Sequence, residues 1–231
     1  MSEKLIEILK RYSLDDIVEI EESDRQFKAL KKMFENMDNK EFFLPLIIAN
    51  SLLSYQLSSV GEDYWEEFSE SAMRYDFGDE LILDKIRDFF LDFLPKSKGN
   101  KRLLNMKIPR IEKIMLFLYG FIGKQGYYYE NLIVFREDLS KAMKQKKDDK
   151  TIVFSIKMFH YGARMKFGKF ISVPFEIDIP VDSRILKITK IYNDTGLDTL
   201  DFWRHISKEV NIPLIHLDAL LWIKCNDFIC F

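Results

Sequence analysis

The chain has 231 residues, 47% of them hydrophobic and 31% charged, a balance that excludes intrinsic disorder and fits one large domain or two lobes sharing a core. Its formal net charge of −2 gives no overall basic character, so a nucleic-acid partner has to be sought in local charge. Two cysteines, no C-x-x-C and three scattered histidines exclude a structural zinc site and a four-cysteine iron–sulfur cluster; the spacing of Cys225 and Cys230 argues against a local bridge.

Helical periodicity runs through nearly the whole chain. Leu5, Ile6, Leu9 and Tyr12 open it with one apolar face. Ser13 and Asp16 have capping-box spacing for the next short helix, and Asp24 is placed to cap RQFKALKKMFENM. The segment EFFLPLIIANSLLSYQL is apolar on most sides and predicts a buried helix, with Pro45 tolerated in its first turns. EDYWEEFSESAMRY and DELILDKIRDFFLDFL are amphipathic; Pro95 is expected to stop the second, and KSKGN reads as a loop. An apolar helix is expected after Pro109 over RIEKIMLFLYGF, then a turn and short segment in GKQGYYYENL, then a short polar helix in REDLSKAMKQ. KKDDK is a turn and KTIVFSIKMFHYGARM a helix. FGKFISVPFEIDIP lacks a helical period and predicts an extended crossing; KFISVPFEI within it is the sole strand candidate. DSRILKITKIYN, LDFWRHISKEV and PLIHLDALLWIKC finish the chain as helices. The pattern predicts an all-α fold of ten or more helices in a single domain, 1–231, with any division into two lobes near KSKGN or GKQG. The charged N-terminus and the lack of a long apolar run predict a soluble, cytoplasmic protein without a membrane partner.

Positive charge is locally concentrated. Lys96, Lys98, Lys101, Arg102 and Lys107 form one group, and Lys141, Lys144, Lys146, Lys147 and Lys150 another. Such groups serve either as a phosphate-binding face or as ordinary solvated helix surface. The sequence has no P-loop, no dinucleotide fingerprint, no H-E-x-x-H and no G-x-S-x-G, so the chemistry falls to lysines, carboxylates and tryptophans. Lys150 stands in the first turn of its helix, where the positive end of the dipole favours a neutral amine; partial burial is expected to add to this. Those conditions suit a nucleophile. The alternative is a solvated Lys150 behind a capping Asp148. Phe154 and Lys157 share its helical face. Asp182, after Pro180, stands where the next helix begins, either as a simple cap or as a rigidly held catalytic carboxylate. Asp218 and Trp222 lie one helical turn apart, suited to holding a flat polar heterocycle; a core Trp beside a surface Asp is the other reading. Trp65 carries the same ambiguity.

In combination and order, KTIVFSIKM, IPVDSRI and PLIHLDALLW resemble the archaeal 8-oxoguanine DNA glycosylase family known as AGOG, a divergent branch of the helix-hairpin-helix DNA glycosylases. SDRQF, LLSYQL and EDYWEEF extend the resemblance over most of the chain. It implies two helical lobes around a central cleft, with base excision by flipping and an associated lyase step. It implies catalytic roles for Lys150 and Asp182. The base pocket would be formed by Gln26, Ser54, Trp65, Phe154, Lys157, Pro180, Asp218 and Trp222. Trp222 or Trp65 with Phe154 would stack on the base, while Gln26 and Asp218 would read its edges. No metal or cofactor is implied. The partner would be double-stranded DNA containing 8-oxoguanine, with single-stranded DNA a further candidate, and the protein a nucleoid-associated monomer. One departure from the superfamily stands out: the hairpin stretch KAMKQKKDDK has no glycine. Two other classes remain from the residues alone, an inactive helical DNA-binding module and a helical protein-interaction scaffold.

Overall fold

A computed structural model describes residues 1–229. Its described residues form fourteen α-helices and no strand: α1 (Ser2–Leu9), α2 (Leu14–Ser23), α3 (Arg25–Asn36), α4 (Phe43–Leu53), α5 (Gly61–Arg74), α6 (Asp84–Lys96), α7 (Leu104–Phe121), α8 (Gln125–Glu130), α9 (Leu132–Met143), α10 (Lys150–Phe167), α11 (Ser183–Tyr192), α12 (Thr199–Val210), α13 (Leu214–Ile223) and α14 (Cys225–Ile229). A 3-10 turn, Lys40–Phe42, leads into α4. The stretch KFISVPFEI is irregular and extended. Cys230 lies outside the described residues; Cys225 is half-buried.

Local signals account for most boundaries. Ser13 and Asp16 close a complete capping box on α2, and Asp24 accepts the Gln26 N–H at 2.9 Å to start α3. Three expectations are corrected. Helix α6 begins at Asp84 and contains Pro95 near its end. Helix α7 begins at Leu104, ahead of Pro109, because Lys107 is buried and anchors its first turn by donating to the side-chain oxygen of Asn100; that lysine therefore does not belong to a surface basic group. At α10 the capping position is held by Asp149, not Asp148.

The buried apolar residues fall into two clusters. The larger gathers side chains from α3 to α10, among them Leu46, Trp65, Phe90 and Phe159. Helix α4 is buried at every residue, and α10 packs closely on it at Gly162, where a β-carbon would lie 2.5 Å from Ile47 Cδ1. The smaller cluster joins α1 and α2 to α11–α14, with Leu5, Ile17, Trp203 and Leu220. Helix α13 is also buried on nearly all sides, so its two polar side chains need partners inside the protein. His216 faces Glu21 of α2 at 2.7 Å, with Arg164 of α10 3.0 Å from the other Glu21 oxygen. Burial opposes charge on Glu21, but His216, His160 and Arg164 outweigh it and leave the carboxyl below its ordinary range. The second polar group, Asp218, meets Lys157. The extended crossing from α10 to α11 is tied down by Asp178, which accepts two hydrogen bonds from the Arg204 guanidinium at 2.8 and 2.9 Å.

Candidate active site

Where the two clusters adjoin, twelve residues line one pocket of about 120 Å³. That is small beside the roughly 300–1,000 Å³ of sites for drug-sized ligands, and suits a single flat heterocycle. All ten residues singled out from the sequence are in its wall: Gln26, Ser54, Trp65, Lys150, Phe154, Lys157, Pro180, Asp182, Asp218 and Trp222. Leu57 and Gly61 complete it. No sequence signal marked Leu57. Gly61 had one, a glycine at the first position of α5, and its place is explained by closeness: a β-carbon there would come within 3.3 Å of Gln26 Nε2.

Helix α10 supplies three members. Lys150 opens it with an exposed side chain, so the partial burial expected for this amine is absent, and it makes no hydrogen bond or ion pair among the described residues. Two turns on, Lys157 is only 2% exposed and donates to Asp218 Oδ2 at 2.6 Å. Desolvation acts against the Lys157 charge, but Asp218 and Asp24 together outweigh it and hold the ammonium above the ordinary lysine value. A lysine held protonated and paired has no lone pair to offer an electrophile; Lys150 is the lysine of the pocket without a carboxylate partner among the described residues. Between them Phe154 turns its ring toward the pocket, backed edge-on by Trp65 at 6.1 Å. Trp65 is fully buried, so in this state it braces Phe154 and does not present a free face.

The opposite wall comes from the crossing and α13. Asp182 caps α11, its Oδ1 accepting from the N–H groups of Arg184 at 2.9 Å and Ile185 at 3.0 Å. It is therefore both the cap of α11 and a pocket residue. Asp218 is 6% exposed, a buried ion-pair member and not a surface carboxylate; Trp222 is half-buried. Gln26 is nearly buried, yet its carboxamide has no hydrogen-bond partner among the described residues, which leaves it available to a ligand. Ser54 donates to the Asn50 carbonyl at 2.6 Å.

Beside Lys150 the hairpin between α9 and α10 is built without glycine. Lys144 takes the left-handed conformation at the end of α9 (φ 53°), a position that glycine usually fills. Gln145 N–H donates to the Ser140 carbonyl at 3.0 Å, and the Gln145 side chain donates to Thr151 Oγ1 at 3.0 Å, bracing the turn. Lys141, Lys144, Lys146 and Lys147 are exposed. No group of His, Cys, Asp and Glu among the described residues has the geometry of a metal site, and no helix is long and apolar enough to cross a membrane.

Comparison with known proteins agrees with this geometry. A family profile, AGOG, described as N-glycosylase/DNA lyase, matches residues 6–227. An N-glycosylase/DNA lyase from Thermococcus kodakarensis is 41% identical over 224 residues, 96% of this chain and 82% of the relative. One from Methanococcus maripaludis is 39% identical over 221 residues, 95% and 85% of the two chains. Among solved structures, an 8-oxoguanine DNA glycosylase from Pyrobaculum aerophilum in complex with 8-oxoguanosine superposes with a TM-score of 0.80 at 25% identity, covering 95% of this chain and 85% of that one.

Proposed function

The chain belongs to the AGOG family of N-glycosylase/DNA lyases, and from that premise we propose that it excises 8-oxoguanine from duplex DNA and then cleaves the strand. Membership in an enzyme family sets aside the inactive binding module and the interaction scaffold. The observation that carries the proposal is the convergence of an unpaired lysine amine, a capping carboxylate and a tryptophan–phenylalanine pair on one base-sized pocket.

A base inside a duplex is out of reach, so the lesion has to be flipped out, at a cost of a few kcal/mol offset by stacking and phosphate contacts. The base would enter between Trp222 and Phe154. The free carboxamide of Gln26 and the Asp218 carboxylate would read its polar edges; 8-oxoguanine differs from guanine by a C8 carbonyl and a protonated N7, and an acceptor facing N7–H separates the two. A pocket built this way rejects the undamaged base because its own buried groups would be left unpaired. Lys150, its ammonium proton passed to a base, then donates its nitrogen lone pair to C1′; the C1′–N9 bond breaks and the base leaves, taking a proton. The nitrogen lone pair then forms a C=N bond as the C1′–O4′ bond breaks, O4′ takes a proton, and the opened sugar is left as a protonated imine between Lys150 and C1′. The imine accepts the electron pair released when a C2′ proton is removed, and the C3′–oxygen bond breaks to free the 3′ phosphate. Asp182 would stabilise the positive charge that develops on the sugar and relay protons. No step calls for a metal or cofactor.

The two apolar clusters act in this reading as two lobes with the cleft between them, within one domain. The exposed lysines of the hairpin would grip the backbone, replacing amide contacts that a glycine-rich turn would make. We place the protein in the cytoplasm with the chromosome, acting as a monomer on duplex DNA and on accessible single strands. Borohydride trapping on duplex DNA containing 8-oxoguanine is the test: Lys150→Ala should abolish the covalent adduct, and an adduct that survives means the nucleophile is misassigned.

A further inference from the structure

One side chain outside the pocket touches two of its lining residues at once. The Arg184 guanidinium lies 2.9 Å from the centre of the Trp222 ring and donates through Nη2 to Asp182 Oδ2. Its own backbone N–H donates to Asp182 Oδ1. Arg184 is itself about three-quarters buried, with 23% of its side chain exposed, and it is not among the pocket-lining residues, whereas Asp182 and Trp222 are.

We propose that Arg184 is a positioning residue for base excision, a clamp that fixes the Asp182 carboxylate and the Trp222 indole relative to each other. This rests on the function proposed above. Lone-pair accounting supports it. A carboxylate offers about four acceptor sites. Oδ1 uses two on the N–H groups of Arg184 and Ile185, and Oδ2 uses one on Arg184 Nη2. One site on Oδ2 is left for the substrate, and the rotation that would carry it away from the pocket is blocked by the guanidinium. The planar fork of arginine suits both contacts: it stacks on an aromatic face while donating in its own plane. Trp222 stands near the C-terminal end of α13 and is half-buried, so a cation over one face fixes the tilt of the ring and leaves its other face for a base. A lysine in this place would keep the charge and lose the plane.

The test uses the full chain with 8-oxoguanosine as the binding probe and duplex DNA containing 8-oxoguanine as the substrate. Trp65 and Trp203 are fully buried, so acrylamide quenching of fluorescence reports mainly on Trp222. Arg184→Gln should raise that quenching and weaken 8-oxoguanosine binding about tenfold, the loss of a strong cation–π interaction. It should slow single-turnover excision at saturating enzyme by about tenfold or more, the loss of a charge-assisted hydrogen bond. Arg184→Lys, which guards against a variant that fails to fold, should recover part of the excision rate but neither the quenching nor the nucleoside affinity. Wild-type values on all three readouts for Arg184→Gln would overturn the proposal, as would full recovery of all three by lysine. A wild-type chain that does not excise 8-oxoguanine would instead overturn the proposed function, and the quenching readout, which needs no turnover, keeps the two failures apart.

Discussion

Asp218→Asn tests the energetic core of the pocket. Asp218 and Lys157 are paired at 2.6 Å with side-chain exposures of 8% and 3%, so the variant leaves a buried ammonium facing a neutral amide. Breaking a buried pair from one side typically costs about 3–5 kcal/mol. Asparagine keeps an oxygen for Lys157 Nζ, and Asp24 still attracts the charge, which puts the expected loss near the lower end, about 3 kcal/mol. For a chain of this size each kcal/mol moves the melting temperature by about 2–4 °C, so a drop of about 6–12 °C is expected. The pH dependence supplies a second signature. In the wild type the Lys157 ammonium is held above its ordinary value of 10.5, so the stability it contributes is complete below pH 10.5 and is lost as pH rises through the higher folded value. In the variant the attraction of Asp218 is gone and burial outweighs what Asp24 still supplies, which lowers the folded value, so the native state sheds a proton more readily than the unfolded chain and gains relative stability as pH rises. The gap between the two proteins should therefore narrow toward pH 10. Thermal melts followed by circular dichroism between pH 6 and 10 measure it. A loss under about 1 kcal/mol, the value of an exposed pair, or a gap that stays constant with pH, would refute the reasoning. The double variant Lys157→Met/Asp218→Leu should regain stability without regaining 8-oxoguanosine binding.

Three other outcomes follow from separate features. Gly162→Ala should cost about 1–3 kcal/mol by overpacking, and Ile47→Val, which removes the carbon 2.5 Å from the new methyl, should recover part of it; strictly additive losses would mean the strain relaxes elsewhere. Burial pushes His160 down to about 4, and its Nδ1 has no partner. The unfolded chain therefore binds a proton below pH 6.5 that the native state refuses until about 4, and stability should fall across that window by at most about 3.5 kcal/mol at about 1.4 per unit. His160→Phe should flatten the slope seen in chemical denaturation over that range. Replacing Lys144, Lys146 and Lys147 with glutamine should reduce the steepness of the salt dependence of DNA binding by about 2–3 on a double-logarithmic plot, close to one for each phosphate that a lysine no longer neutralises; an unchanged slope would place the backbone grip elsewhere.

The sequence by itself determined the helical class and several of the helix starts. Period, capping box and breaker residues are local, so the starts of α2, α3 and α11 were legible from Ser13, Asp24 and Asp182. Where a tertiary interaction competed, local reading failed: the first turn of α7 forms ahead of Pro109 because Lys107 finds Asn100 in the preceding loop, which Leu53 and Tyr64 hold in place from across the fold. Ten of the twelve residues that line the pocket were named from motifs and resemblance, since a turn lysine and a cap aspartate carry no distinctive chemistry alone. Tertiary structure decided what their spacing left open. It paired Lys157 with Asp218 across 61 residues, left Lys150 exposed, and laid Arg184 over Trp222. None of these has a sequence period, because each depends on how separate helices meet. A lysine ion-paired in the interior and one unpaired at a helix start read alike in one dimension, and only burial and a neighbouring carboxylate tell the two apart.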